Sequence, residues 1–552
     1  MSDATIHLAG APATAKRAET GLRAPIALAV ATAGLALGVS ADSLFRDGVG
    51  GVAFAVWIGL LAITLVAIAW EDGRTLSRES AMWLCSAVAF ASCFAWRNSG
   101  VLLFLDLVAT LGCLGLAVIR MRDPRAGILA ERMRETVFAG VRAGIEAAFG
   151  AFPLTMREMG TPGSRSGVST RLRLALRLAA IAVVLVLIFG SLLRAADPIF
   201  ASIASIPAID VGNLVSHVLV ILFVGAIVAG WARTALLPTP PRPDLPQGYG
   251  FSLGAAEVTT ILGTLNALFA LFVVAQLGWF FGGEQFLRDR TGLTVAQYAR
   301  GGFFQMLWVV ALVVPVLVVT RGALRADRAL ARRHTMLAVP IVVLLGTMIA
   351  CSIARLNLYV KFYGMTTDRL YPLVFMGWLF ATLLWLSVTV LRDWGRPFAV
   401  GAVLAAMCTL LGLNALDPDA FVARVNVARA GSTLRPDAEP LDVQYLARLS
   451  GGAVPYAVNA LVAAQRGADA SGVEAGRRCV AANSLLGRFG PARQQRGGGS
   501  VDVDARWRFW NADDALAAAA VTRHFRELLA VRHSACTLAR ESSSLGSTSR
   551  NH

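Results

Sequence analysis

The sequence predicts an all-α integral membrane protein with about eleven transmembrane helices and a small helical module outside the membrane near the C-terminus. Three observations carry that expectation. Hydrophobic residues make up 56% of the chain and charged residues only 16%, whereas soluble domains carry about 25% charged residues. Apolar runs of roughly 18–22 residues follow one another, the length that crosses a hydrocarbon core about 30 Å thick. After Asn414 the character changes to shorter, amphipathic, helix-period segments.

In chain order, residues 1–23 form a polar leader expected to be disordered and cytoplasmic. The first apolar run starts near Ala24 and others follow it, so it reads as a first span rather than a cleaved signal peptide. Four spans are expected at 24–40, 50–70, 80–96 and 101–119. Residues 120–173 form a cytoplasmic segment whose apolar positions recur at helical spacing opposite Arg132, Arg134, Glu135, Arg142 and Glu146. Such a helix lies along the inner membrane surface or packs under the bundle. Gly160–Thr170 reads as a flexible linker.

Seven further spans are expected between 174 and 416, at 174–193, 213–232, 258–281, 302–320, 336–355, 371–391 and 398–415. Between them, the proline-rich 237–250 reads as a stiff spacer. In 283–301, Thr294 can cap a short interfacial helix carrying Tyr298 and Arg300. Residues 417–540 are expected as an extracytoplasmic helical module, followed by a disordered tail over 541–552. Asp417 suits an N-cap with Pro418 at the first helical position. Periodic stretches at 441–449, 453–465, 472–486 and 507–529 supply the module's helices, the last capped near Asn511.

Charge orients the chain. The net charge of +16 is almost all arginine, the only lysines being Lys16 and Lys361. With the N-terminus inside, the inner segments hold 24 lysines and arginines and the outer ones nine. This is the bias of a chain whose N-terminus is cytoplasmic, and eleven spans then put the C-terminus outside. The basic charge therefore implies a lipid bilayer as partner, with envelope or membrane proteins as further candidates, and not nucleic acid. Five of the seven cysteines lie in apolar runs, while Cys479 and Cys536 could pair if the tail is extracytoplasmic. With no CxxC pair or Cys/His cluster, no metal or cofactor is expected.

Ionisable residues inside spans are candidates for function because their burial is expensive. Asp106 could relay protons or bind a cation, or simply face a polar neighbour; His217 sits near the end of its span. Asn266 and Gln276 are expected to join helices. A denser group lies at the span ends. Arg355, Tyr359 and Tyr363 are spaced i, i+4, i+8 on one helix face. A guanidinium beside two phenols could grip a phosphate or carboxylate; the ordinary alternative is an interfacial belt. With Arg369, Asp419, Arg424 and Asn426 they form a candidate polar junction or anion site.

The runs S-I-A-R-L-N-L-Y-V-K-F-Y-G-M-T-T-D-R-L (352–370), D-P-D-A-F-V-A-R-V-N-V-A-R (417–429) and L-D-V-Q-Y-L-A-R-L-S-G-G-A-V-P (441–455) resemble the bacterial membrane family called domain of unknown function 4173 and its relative 4153. Q-Y-A-R-G-G-F-F (297–304) and R-W-R-F-W-N (506–511) extend the resemblance over about 250–530. Two positions depart from it. Asp417-Pro418-Asp419 stands where the family usually has Asn-Pro-Asp, and Gly452 stands where an Asp commonly precedes Ala-Val-Pro. The resemblance implies membrane architecture but no chemistry, and no catalytic residue is assigned. The expected role is a bacterial cell-membrane scaffold or sensor rather than an enzyme. The alternatives are an anion transporter or channel, and a lipid-linked transferase using Asp42 and Asp47 of the first outer loop.

Overall fold

The computed structural model describes residues 13–46, 48–122, 211–237, 253–291, 303–324, 327–389, 398–430, 441–465, 472–491 and 507–548, with the single positions Gly144 and Leu154. The expected amphipathic segment, the span at 174–193, the proline-rich spacer and the Thr294 cap lie outside the described residues. What is described is helical, apart from one isolated bridge between Leu253 and Leu324. It falls into two compact units. One is drawn from Met1–Ser92, Thr110–Arg125 and Val137–Pro241, the other from Cys93–Ala109, Ala126–Thr136 and Arg242–His552.

The helices are α1 (Ala13–Phe45), α2 (Gly51–Glu71), α3 (Arg78–Trp96), α4 (Gly100–Arg122), α5 (Val211–Leu236), α6 (Ala255–Thr291), α7 (Phe303–Gly322) and α8 (Arg328–Tyr363). They continue as α9 (Thr367–Thr389), α10 (Phe398–Leu416), α11 (Pro418–Ala430), α12 (Val443–Leu446), α13 (Val454–Gln465), α14 (Gly472–Phe489), α15 (Ala512–Arg523) and α16 (Phe525–Thr548).

Among the described residues, eight helices are long and apolar enough to cross a membrane, and a ninth if α10 and α11, bent by 54°, form one span. Seven of the eight coincide closely with expected spans, while α8 begins eight residues before the expected 336. The expected 302–320 span is α7, in which the apolar helix described is the shorter Ala311–Gly322. Leu271, Phe223 and Ile63 are 70%, 69% and 67% exposed. Apolar faces this bare are stable only against lipid or another apolar surface.

In the first unit, α1 and α5 touch through their backbones. A Cβ on Gly34 would lie 2.7 Å from the Gly225 carbonyl oxygen, and one on Gly38 would lie 2.4 Å from that of Ile221. Gly34 and Gly38 form the small-xxx-small spacing that lets membrane helices approach this closely. Because α1 extends to Phe45, Asp42 is helical rather than part of the first outer loop. Asp47 lies outside the described residues.

In the second unit, α6–α9 share an apolar core that includes Leu262, Leu317, Ile341, Leu345 and Leu383. Asn266 Nδ2 crosses from α6 to the Leu337 carbonyl at 2.8 Å, the helix-joining role expected of it; the Gln276 side chain lies outside the described residues. A second core joins Val422, Val454, Val458, Leu461, Leu485, Val521 and Leu528 of the C-terminal helices. Met365, from the α8–α9 connection, and Leu370, from the first turn of α9, belong to the same core, so the helical module is built onto span ends rather than tethered beside them.

Asn511 caps α15 as expected, its Oδ1 accepting from Asp514 N at 2.8 Å. The expected last helix at 507–529 is two, with the break at His524. The second continues to Thr548, past the boundary expected at 541, where Ser542 Oγ donates to the Ala539 carbonyl within the helix. Cys479 of α14 and Cys536 of α16 form a disulfide across a separation of 57 residues.

Candidate functional site

The central feature of the second unit begins with a missing donor. In a helix the Asn414 carbonyl would accept from the amide four residues on, but that residue is Pro418, which has none. The chain bends there. Asp417 takes φ 54°, a conformation that Asp tolerates better than most residues. It closes α10 through its N–H to Leu413 O at 3.1 Å and caps α11 by accepting Ala420 N at Oδ1, 3.1 Å.

Arg97, in the short α3–α4 connection, supplies what is missing. Its Nε donates to the Asn414 carbonyl at 2.7 Å. Its Nη1 reaches Asp417 Oδ2 and Asp513 Oδ1, each at 3.0 Å. Next in the chain, Asn98 N donates to Asp513 Oδ2 at 3.2 Å, and Asn98 Nδ2 donates to both oxygens of Asp514. On the membrane side, Asn414 Nδ2 donates to Asp106 Oδ1 at 2.9 Å, both residues being fully buried. One polar network thus runs from Asp106 within a span, through Asn414 and Arg97, to the first turn of α15 in the module. Burial pushes the Asp513 carboxyl up to about 6, with the Asp417 charge acting in the same direction and Arg97 opposing.

Two glycines let the module close over this network. A Cβ on Gly452 would sit 1.9 Å from Asp417 Oδ2, and one on Gly451 would sit 2.5 Å from the Asp513 carbonyl. Asp417 and Gly452 are therefore adjacent in space: the Asp417 carboxylate fills the place where a side chain at 452 would stand.

Beside the network lies a cavity of about 300 Å³, lined by Asn98, Ser99, Tyr371, Asp419, Arg448 and Ser450 among others. Ser99 Oγ and Tyr371 Oη are 3.2 Å apart, and Asp419 Oδ2 accepts Ser450 N at 3.1 Å.

The residues singled out in the sequence separate into several settings. Of the seven in the proposed junction, only Asp419 lines this cavity. Tyr359 and Tyr363 do stack, centroids 4.7 Å apart, but the guanidinium over Tyr359 at 4.3 Å is that of Arg369. Arg369 also donates to the Tyr363 carbonyl at 3.1 Å and to the Gly364 carbonyl, so it ties off the end of α8. The Arg355 side chain lies outside the described residues. Asn426 grips Met365 by both backbone groups, accepting from its N at 2.8 Å and donating to its O at 2.7 Å. Arg424 lies over the Phe421 ring at 5.6 Å.

In the first unit, His217 Nδ1 is 2.5 Å from Asp42 Oδ2 and 2.7 Å from Arg46 Nη1. One nitrogen cannot serve both contacts as they stand. A protonated Nδ1 satisfies Asp42 and leaves Arg46 to Asp42 Oδ1 and Asn213.

The family described as "Domain of unknown function (DUF4153)" matches residues 84–460. The chain belongs to this DUF4153 family. The DUF4153 match starts well before the 250 at which the motifs begin, and so takes in Arg97 and Asp106 as well as Asn414, Asp417, Asp419 and Ser450. It ends within α13, before Asp513. No curated protein and no solved structure matches the chain.

Arg97, Asn98, Asp513 and Asp514 are the site residues that sequence reasoning missed. Their local signals were a charged residue in a three-residue inter-span turn and an acidic pair in the first turn of a capped helix.

Proposed function

We propose that this DUF4153 protein is a scaffold or sensor of the bacterial cell membrane, with its N-terminus cytoplasmic and its helical module on the outer face. One observation carries the reading: the buried Arg97 network binds the module's α15 to the ends of spans, so a force or ligand acting on the module is felt at Asn414 and Asp106 within the membrane. Breaking a buried ion pair of this kind costs about 3–5 kcal/mol, which makes it a stiff link. The Cys479–Cys536 disulfide supports the outer placement, since such bonds persist in oxidising compartments. Eleven spans, counting α7, α10 and the 174–193 run, agree with that side, as does the arginine bias. Residues 1–23 are then the cytoplasmic leader, and envelope or membrane proteins are the partners.

The test is photo-crosslinking in cells from Val473 and Leu516, which are 74% and 59% exposed on the module. Discrete crosslinked species that vanish in Asp513→Ala protein, which still inserts, support the scaffold reading. A profile unchanged in that variant overturns it.

A second reading, transport of a small or lipidic anion, draws on the 54° break between α10 and α11. Discontinuous helices of this kind line transporter sites. Anion flux in liposomes that Asp417→Asn abolishes would establish it; the absence of flux would remove it.

A further inference from the structure

The cavity beside the Arg97 network is polar in a particular pattern, and of the residues in the proposed linkage it takes in Asn98 alone. We propose that it binds a small phosphate ester bearing free hydroxyls, of the glycerol phosphate class. This holds whether or not the protein acts as a scaffold.

Four observations define the ligand. Gly100 and Val101 line the cavity at the start of α4, a helix of 23 residues. They precede its first hydrogen bond, Leu103 N to Ser99 O at 2.9 Å, so their amides have no acceptor within the helix and form an anion-favouring terminus at the cavity wall. Arg448 stands at the rim, exposed, with no side-chain partner among the described residues. The turn that carries it is held by Arg488, whose Nη1 donates to the Ala447 and Leu449 carbonyls at 2.9 and 3.0 Å. Ser450, only 7% exposed, lines the same cavity, and its buried Oγ has no hydrogen-bond partner among the described residues. A hydroxyl buried without a partner is costly, and a χ1 rotation that turns Oγ toward a bound group restores the bond.

The fourth observation selects against a bare anion. Asp419 places a carboxylate in the wall, with Oδ2 held by Ser450 N. A free phosphate would meet that charge unrelieved. An ester can turn its phosphate to α4 and Arg448 and offer hydroxyls to Asp419 and Ser450. The volume, about 300 Å³, is at the small end of ligand sites, which suits a body of a few carbons. Gly100 and Thr367 both begin candidate spans and both line the cavity, so it lies at the level of span ends. Either a lipid headgroup or a soluble ester can reach it.

The experiment uses the full chain in nanodiscs. In phosphatidylcholine discs, glycerol phosphate, glycerol and inorganic phosphate are titrated calorimetrically. In parallel, discs doped with phosphatidylglycerol are analysed by native mass spectrometry for retained lipid. The variants are Arg448→Gln, Ser450→Ala and Asp419→Asn, with Arg424→Gln as an exposed-arginine control. Saturable binding of the free ester, weakened roughly tenfold by Arg448→Gln as expected for one charge-assisted contact, establishes the site with a soluble ligand. Retained phosphatidylglycerol that Arg448→Gln loses, without free-ester binding, assigns it to a headgroup. In both cases Ser450→Ala weakens binding and Arg424→Gln leaves it unchanged. The proposal is overturned if neither source binds above the level of Arg448→Gln. It is equally overturned if inorganic phosphate binds as well as the ester and Asp419→Asn changes nothing.

Discussion

Replacing Arg97 by alanine removes one cation from between two buried carboxylates. Asp417 and Asp513 have side chains only 11% and 1% exposed, and the Asn414 carbonyl loses the donor that Arg97 Nε supplies. Breaking a buried pair by deleting one partner costs about 3–5 kcal/mol. That loss depends on pH in a definite direction. The folded-state value of Asp513, about 6, lies above its ordinary 3.8. Between these values the folded state holds a proton that the unfolded state has released, so the intact protein loses stability as pH rises from about 4 to about 6. The loss is on the order of 3 kcal/mol and is complete above that range. At pH 5 Asp513 is mostly protonated, so Arg97→Ala strands less negative charge there than at pH 7.5.

Thermal unfolding of the two proteins in nanodiscs should therefore differ by roughly 10 °C at pH 7.5 and by about half that at pH 5. Removing Asp513 as well should recover part of the loss, as expected for residues in one network. An Arg97→Ala loss that is equal at both pH values, or additive with that of Asp513→Ala, would refute the assignment of Arg97 as the shared cation.

Gly452→Ala should destabilise the module by about 1–3 kcal/mol, because the new methyl meets Asp417 Oδ2 at 1.9 Å. Asp417→Ala should suppress most of that effect in a double-mutant cycle followed by denaturant titration. Reducing the Cys479–Cys536 bond, which closes a separation of 57 residues, should lower the module's stability by about 4 kcal/mol on the chain-entropy account. Cys479→Ser should behave the same way and be insensitive to reductant. Gly34→Val should push α1 from α5, since even a Cβ would stand 2.7 Å from the Gly225 carbonyl. A cysteine pair placed on α1 and α5 should then crosslink several-fold less in membranes.

Much of the architecture was legible because its cause is local. Hydropathy over about 20 residues marks a span wherever it sits, and seven expected spans coincide closely with helices able to cross a membrane. The Asp417–Pro418 cap was legible for the same reason: an N-cap and a first-turn proline are judged against their own neighbours. What the cap does was not legible. It strands the Asn414 carbonyl, and the donor that answers comes from Arg97, 317 residues away. Counted among the outer arginines, Arg97 had nothing nearby to mark it as more than a flanking charge. Its second acid, Asp513, lies 416 residues on.

The aromatic face illustrates the intermediate case. Helical spacing put Tyr359 beside Tyr363 correctly, yet the guanidinium that covers Tyr359 belongs to Arg369, beyond the turn at Gly364. Position along a helix is periodic, whereas what folds back over it is decided by the turn. Asn426 shows the same limit: its burial against Met365 depends on α11 leaving α10 at a sharp angle.

The link between the α3–α4 turn and the module is most directly measured by a cysteine pair. Asn98 Nδ2 and Asp514 Oδ1 are 2.9 Å apart, so thiols at Asn98→Cys and Asp514→Cys lie within the span of a short bis-thiol crosslinker. In membranes from cells expressing the double variant, mass spectrometry after treatment with that crosslinker should find these positions joined. An impermeant thiol reagent applied to intact cells should label each single variant. Two free thiols in the double variant would contradict the link, and labelling only after the cells are opened would contradict the outer placement of the module.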